Sequence, residues 1–437
     1  MKRLHIIIIL LFIIPIFTLG FISIVDEDLT VSIVENRTLS SKPKFSIENV
    51  LNSSFMKDFE NYYLDTFPFR EHLLGVNRKL NNVYYATGKS GVVVVNNNFS
   101  VGLGDGVGIE QNEEKINDEE TLLPKPIKPI IDEGVVTKGI IIIKNSATEC
   151  FSFSKELTTY FAEVIEFFHT LMPDEKIYVM IPPNAGEFYS PANMYKEEES
   201  IKTALSYLKS QLKNSIFVDA YSVMAKHQDE YIFFRTDHHW TARGAYYAYK
   251  AFIEAVGLEP VNLSDLETGF VPDFLGSMHK SVAKYAQSEG LREDPDYVEY
   301  FIPKVNYTAT TYKNTDMVDG KELLLVNKDY DASDNKYYIF LGQDSALLKI
   351  TTDVDNGRKL VIVRDSYGHA FLPFIVHNYE EIYVIEPRYF NREGYSSLKL
   401  NEFVEKVDPD EILFMNYAMF ISEGYWFQWI DVIEALQ

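Results

Sequence analysis

Three side chains in this sequence have the types and placement for nucleophilic chemistry. Asp237 precedes His239 by two positions in Phe234-Arg235-Thr236-Asp237-His238-His239-Trp240-Thr241. In an extended segment residues i and i+2 point to the same side, so the carboxylate is expected to hold the tautomer and orientation of the imidazole. That is the base half of a Ser-His-Asp triad. The nucleophile candidate is Ser366, in Val363-Arg364-Asp365-Ser366-Tyr367-Gly368. A buried-strand pattern over 359–363 precedes it and a helical pattern follows. Its hydroxyl would then stand at the edge of a sheet, among helix N-terminal amides able to stabilise an oxyanion. Two readings stay open here, because Ser366 and Asp365 also have the types of helix-capping residues. Ser345, in Gly342-Gln343-Asp344-Ser345, follows another apolar run but ranks second, since no covering helix fits between it and the next strand.

The elements that must position these residues alternate along the chain. Residues 154–172, 200–214, 241–256, 367–378, 397–406 and 425–435 read as helices. Residues 139–143, 177–181, 216–220, 359–363, 381–385 and 411–415 read as strands. Strands with intervening helices imply a parallel α/β sheet covered on both faces, with sites at the carboxyl ends of its strands. Pro183, Ser366, Arg388 and Asn416 all fall just after a predicted strand. The stretch 259–350 interrupts the alternation with short runs such as 297–302 and 337–341, and reads as a β-rich insertion, with scaffolding as its expected role and carbohydrate binding as the alternative. Earlier, 46–82 has a helical pattern, 91–95 reads as a strand, and 104–133 is a charged, Gly- and Pro-containing loop. The expected organisation is thus a segment over 1–25, a stalk with a helical part and an acidic loop over 26–133, and an α/β domain over 134–437.

Composition narrows the partners. The chain has 437 residues, 46% of them hydrophobic, enough for a substantial core. Its formal charge of -23 argues against nucleic acid, whose phosphates need clustered Lys and Arg. Lys2 and Arg3 precede an uncharged stretch from Ile6 to Val25, the length of a membrane-spanning helix. No Ala-x-Ala site follows, so an uncleaved single-pass anchor with an extracytoplasmic body is expected, a cleaved signal peptide being the alternative. Cys150 is the only cysteine, which rules out an intramolecular disulfide and suits a bacterial envelope. A quiet, partly buried thiol is its expected state.

The Asp237-His238-His239-Trp240 block resembles the signature of the DHHW family, which is similar to the alginate O-acetylation proteins of the SGNH hydrolase-like group. Glu35-Asn36-Arg37-Thr38-Leu39 with Pro43, and Asp65-Thr66-Phe67-Pro68-Phe69-Arg70, resemble further blocks of these proteins, and the likeness runs over roughly 30–437. The Asp365-Ser366 turn comes after the Asp-x-His block, matching their permuted motif order. The resemblance implies an SGNH-hydrolase-like, flavodoxin-like α/β fold. It further implies Ser366 as nucleophile, His239 as general base, Asp237 as its orienter, and acetyl transfer to a sugar hydroxyl or to water. A cell-envelope or secreted polysaccharide would be the substrate, and a multi-spanning membrane O-acyltransferase of the MBOAT type the partner. The alternative is an inactive glycan-binding or scaffold protein. One departure is plain: the alginate proteins usually carry Gly where this chain has Arg364.

Around the signature, His238 is expected to face away from His239. Trp240 is expected to pack under the site, with sugar stacking as the alternative. Tyr367 is a hydrogen-bond donor or a helix-start packer. Arg388 and Asn416 are substrate or oxyanion candidates by position alone. Asp237, His238, His239, His369 and His377 have metal-ligating types, but the last two are spaced loosely on one predicted helix. No metal and no other cofactor is expected.

Overall fold

The computed structural model describes residues 139–191, 195–283, 285, 288–390 and 398–423, with isolated pieces between 31 and 137. The chain divides into units Met1–Val94 and Val95–Gln437. In the first, β1 (Val31–Ser32) pairs antiparallel with β2 (Arg37–Thr38). Phe55, Phe59, Tyr62, Tyr63 and Thr66 are helical, within the helix expected over 46–82. The expected anchor over 1–25, the strand over 91–95, the loop over 104–133 and the helix over 425–435 lie outside the described residues. Among the described residues no helix is long and apolar enough to cross a membrane.

The second unit opens with a three-stranded antiparallel sheet of β3 (Val135–Thr137), β4 (Ile140–Ile143) and β5 (Ser146–Glu149). Its main sheet has a parallel half made of β6 (Lys176–Met180), β7 (Ile216–Phe217), β13 (Lys359–Arg364), β14 (Glu381–Ile385) and β15 (Glu411–Met415), in the order β14-β13-β15-β6-β7. Lys359–Arg364 and Glu411–Met415 are near-continuous apolar runs, as strands covered on both faces must be. Their successive side chains feed opposite cores. Leu360, Ile362, Leu413 and Met415 pack with Ala245, Phe252, Phe371 and Phe374 of helices Ala242–Val256 and Gly368–Ile375. Val361, Val363, Ile412 and Phe414 pack with Phe161, Phe168, Leu208 and Phe403 of helices Lys155–Leu171, Ile201–Gln211 and Leu400–Val407.

The expected parallel sheet is in fact mixed. The 259–350 region supplies β10 (Tyr307–Tyr312), β11 (Lys321–Leu323) and β12 (Leu347–Thr352), which extend the sheet antiparallel beyond β14. Its other strands, β8 (Glu267–Phe274) and β9 (Asp296–Ile302), form a separate antiparallel ribbon. Of residues 139–143, Ile140–Ile143 form a strand as expected, but outside the main sheet. The run 337–341, expected as strand, is a 3₁₀ turn at Lys336–Ile339. The Asn335 side chain accepts the Tyr337 amide at 3.3 Å, and Leu341 and Gly342 adopt positive φ, so the segment cannot extend into a ladder. The strand expected over 216–220 stops at Phe217 because the Asp219 side chain caps the next helix through Ser222 N, 2.9 Å away.

Candidate active site

Residues 232–241 form a closed loop. Phe233 bridges Trp240, Thr241 N donates to Ile232 O at 3.0 Å, and Phe234 N donates to His239 O at 3.3 Å. Arg235–His239 form its bent tip rather than an extended strand. The expected same-side geometry is therefore replaced by a turn built on a side chain. Asp237 Oδ1 accepts both the backbone amide of His239, at 3.0 Å, and its ring Nδ1, at 2.6 Å. A carboxylate can only accept, so the proton sits on Nδ1 and leaves the Nε2 lone pair free. That lone pair faces the Ser366 hydroxyl at 2.8 Å. Ser366 lies two residues past the end of β13 and keeps 9% of its surface exposed, whereas His239 keeps 1%. Burial pushes the Asp237 carboxyl up, but the His239 and His238 rings and the Ser277 amide more than reverse this and hold it well below the usual carboxylate range.

The loop is held by residues far along the chain that sequence reasoning missed. Both Asp296 oxygens grip its backbone, accepting Arg235 N at 2.9 Å, Thr236 N at 2.7 Å and Thr236 Oγ1 at 2.6 Å, with Tyr231 OH as a further donor. Ser277 N donates to Asp237 Oδ2 at 2.7 Å. Gly276 leaves room for that carboxylate: a Cβ there would lie 2.2 Å from Asp237 Cβ. The Tyr337 ring stacks on His239 with centroids 3.8 Å apart and planes 10° apart, and its hydroxyl donates to Ser366 O at 3.1 Å. All of these come from the 259–350 region, whose expected role was scaffolding. No local signal marked them, because each acts only through the packing of the β8–β9 ribbon, the 276–277 turn and the 3₁₀ turn against the loop.

Trp240 is fully buried and donates from Nε1 to Tyr367 O at 3.0 Å, while Tyr367 OH donates to His238 O at 2.6 Å. Both residues thus tie the imidazole loop to the serine turn, Trp240 packed under it and Tyr367 as a hydrogen-bond donor. His238 does not face away as expected. The turn brings its ring to 3.9 Å from that of His239, where its Nδ1 meets Ser277 Oγ at 2.5 Å. Burial, with His239 and Arg388 adding to it, pushes the His238 ring down to about 3, so it is neutral at ordinary pH.

Arg364 is buried, not aimed into the site. Its guanidinium donates to Asp344 Oδ1 at 2.5 Å and Glu386 Oε2 at 3.2 Å. Arg388 joins the same cluster through Glu386 Oε1 and Asp344 Oδ2, both at 2.8 Å, and His369 Nε2 meets Asp344 at 2.7 Å. Burial would raise Asp344, yet His369, Arg364 and Arg388 hold it well below its ordinary value. Gly368 makes room for the Arg364 side chain, whose Cδ would lie 2.6 Å from a Cβ at that position. The Asp365 oxygens accept Tyr367 N and Tyr417 N, each at 2.9 Å, and Asn416 lies fully buried with Nδ2 3.5 Å from Asp365 Oδ2. Burial raises the Asp365 carboxyl to about 6 against those amides. The helix-start amides expected around an oxyanion are engaged internally: Gly368 N with Asp365 O, His369 N with Ser366 O and Tyr367 N with the Asp365 side chain. Ser345 Oγ donates to Leu347 O at 3.4 Å, and its neighbour Asp344 belongs to the ion cluster. Cys150 is partly buried.

Asp237, His238 and His239 offer ligand atoms within 4.8 Å of one another. Both Asp237 oxygens and both His239 nitrogens are already hydrogen-bonded within the protein, so a cation would have to break the Ser366 contact to use them. His369 binds Asp344, and His377 binds Phe374 O and Lys304 N, so the wider set of histidines does not converge. What remains is a hydroxyl beside a base whose tautomer a buried anion fixes. That arrangement can move a proton from Oγ as it attacks an electrophilic carbon.

A DHHW family protein from Eubacterium siraeum is 29% identical, with a TM-score of 0.58 over 67% of this chain and 95% of that one. Bacillus cereus PatB1 with a sulfonyl adduct is 14% identical, with a TM-score of 0.53 over 65% of this chain and 95% of that one. The O-acetyltransferase domain of Pseudomonas putida AlgJ is a looser match, 14% identical over 68% of this chain and 99% of that one, with a TM-score of 0.38. No curated protein matches the chain. The family model described as DHHW protein matches residues 129–385, more than half of the sequence and the whole of the loop and serine turn, and the chain belongs to the DHHW family.

Proposed function

We propose that this DHHW protein is a serine-dependent O-acetyltransferase or acetylesterase acting on a cell-envelope or secreted polysaccharide. The observation that carries the reading is the unbroken line from Asp237 through His239 to Ser366, at 2.6 and 2.8 Å. Ser366 Oγ attacks an acetyl carbonyl while its proton passes to His239 Nε2, and the imidazolium is held by Asp237. The tetrahedral intermediate collapses, His239 protonates the leaving oxygen, and acetyl-Ser366 remains. A sugar hydroxyl, or water, then attacks the ester with His239 again as base, restoring Ser366.

The cationic start and the uncharged stretch from Ile6 to Val25 support a single-pass anchor with the catalytic body outside the cytoplasm. Such a body needs acyl groups delivered from within, which is the role of the proposed MBOAT-type membrane partner. The test is acetyl release by the purified protein from a chromogenic acetyl ester, with and without a polysaccharide acceptor, against Ser366→Ala. Release that depends on Ser366 is expected; equal release by both proteins would remove the reading for acetyl esters.

A further inference from the structure

We infer that Tyr337 is a positioning residue whose ring face stabilises the imidazolium formed on His239 as Ser366 gives up its proton. The inference rests on the proposed triad and adds a member the triad pattern does not contain. Tyr337 is fully buried, and its ring lies 3.8 Å from the His239 ring with the planes only 10° apart. It belongs to the 3₁₀ turn Lys336–Ile339, on an element separate from both the imidazole loop and the serine turn.

An electron-rich face at this distance attracts a cation, and the attraction exists only once His239 is protonated. Asp237 acts on the same charge from the ring's edge, through Nδ1. The two contacts therefore meet the ring from perpendicular directions, one through its plane and one across it. Of the side chains beside the ring, His238 is neutral, Ser366 is the proton donor, and Tyr367 lies 5.4 Å away with its hydroxyl on a carbonyl. The same tyrosine fixes the nucleophile, since its hydroxyl donates to Ser366 O. One side chain thereby sets the spacing between base and nucleophile.

The test is the rate at which a small sulfonyl fluoride modifies Ser366 in the full-length protein, read by intact mass. In that reaction the Oγ–S bond forms, the S–F bond breaks, fluoride leaves, and the hydroxyl proton passes to His239. Position 337 is varied as Tyr337→Phe, as ring-fluorinated phenylalanines, and as Tyr337→Leu. Fluorination drains the ring face while its shape and packing stay close to those of phenylalanine, so a purely structural role would leave the rate unmoved. The rate is expected to fall stepwise with fluorination, by about 2- to 30-fold from phenylalanine to the most fluorinated ring. Tyr337→Phe isolates the loss of the bond to Ser366 O, and Tyr337→Leu should be slower than Tyr337→Phe. A rate flat across the fluorinated series overturns this inference alone. A wild-type protein that is not modified at Ser366 overturns the proposed triad and this inference with it.

Discussion

Gly276→Ala should impair the site without touching any reacting atom. Gly276 has φ -82° and ψ -166°, a conformation any residue adopts, so glycine is required there for space alone. An added Cβ would sit 2.2 Å from Asp237 Cβ and 2.5 Å from its Oδ2. Carbon atoms rest at about 3.5–4.0 Å, so the two chains must part by more than ~1 Å. Asp237 has little freedom to yield, because Ser277 N and the His239 amide and ring all hold it. A shift of that size breaks the 2.6 Å contact to His239 and frees the imidazole to rotate. Misplacement by about 1 Å costs on the order of 10²-fold in rate, and the ceiling is the ~10⁴-fold loss seen when a serine protease loses its orienting acid. Overpacking should lower stability by about 1–3 kcal/mol, so the fold survives and the rate can be read below the unfolding transition. The assay is the second-order rate of Ser366 modification by a sulfonyl fluoride, with a thermal unfolding midpoint as control. A variant with wild-type rate and wild-type midpoint would show that the loop and the 276–277 turn do not meet as described.

Three further outcomes follow from the buried charges. Asp296→Ala strands five donors of the 231–236 segment, the Arg235 Nε among them, and should cost about 3 kcal/mol or more in urea unfolding, with loss of Ser366 reactivity; unchanged stability would contradict the grip of Asp296 on the loop. Arg364→Met leaves Asp344 and Glu386 short of a cation and should destabilise by about 3–5 kcal/mol, measured the same way. Asp365 is an acid whose folded value is raised to about 6. Its ionisation therefore opposes folding above that pH, the penalty is relieved as pH falls from about 6 towards the unfolded value of about 4, and in full it amounts to about 3 kcal/mol. Asp365→Asn should flatten the slope of unfolding free energy between pH 4.5 and 7, in chemical denaturation read across roughly that range; a slope equal to wild type would contradict the burial of that carboxyl.

The strands of the parallel half and the order of Asp237, His239 and Ser366 could be read from sequence because they are local patterns: apolar runs, a two-residue spacing, a strand followed by a polar turn. What escaped is turn chemistry and long-range packing. Asp237 and His239 meet through a turn rather than through strand alternation, since the carboxylate captures the His239 amide, and the same turn carries His238 towards its neighbour instead of away. Tyr337 sits in an apolar stretch that reads as strand, yet the Asn335 cap bends it into a 3₁₀ turn and puts its ring on the imidazole. Asp296 and Gly276 show in the sequence as one more strand acid and one more loop glycine. Arg364 stood out as a departure, but its partners Asp344 and Glu386, which it shares with Arg388, lie on other segments that only the folded sheet brings together.

In the proposed reaction Ser366, activated by His239, carries the acyl group. The most direct test is to quench the purified protein within its first turnovers on an activated acetyl ester and to map any added acetyl group by mass spectrometry. One acetyl group on Ser366, absent from Ser366→Ala and strongly reduced in His239→Ala, is the predicted result. Turnover of the ester by wild-type protein with no acetyl on Ser366, or with the group on another residue, would contradict it.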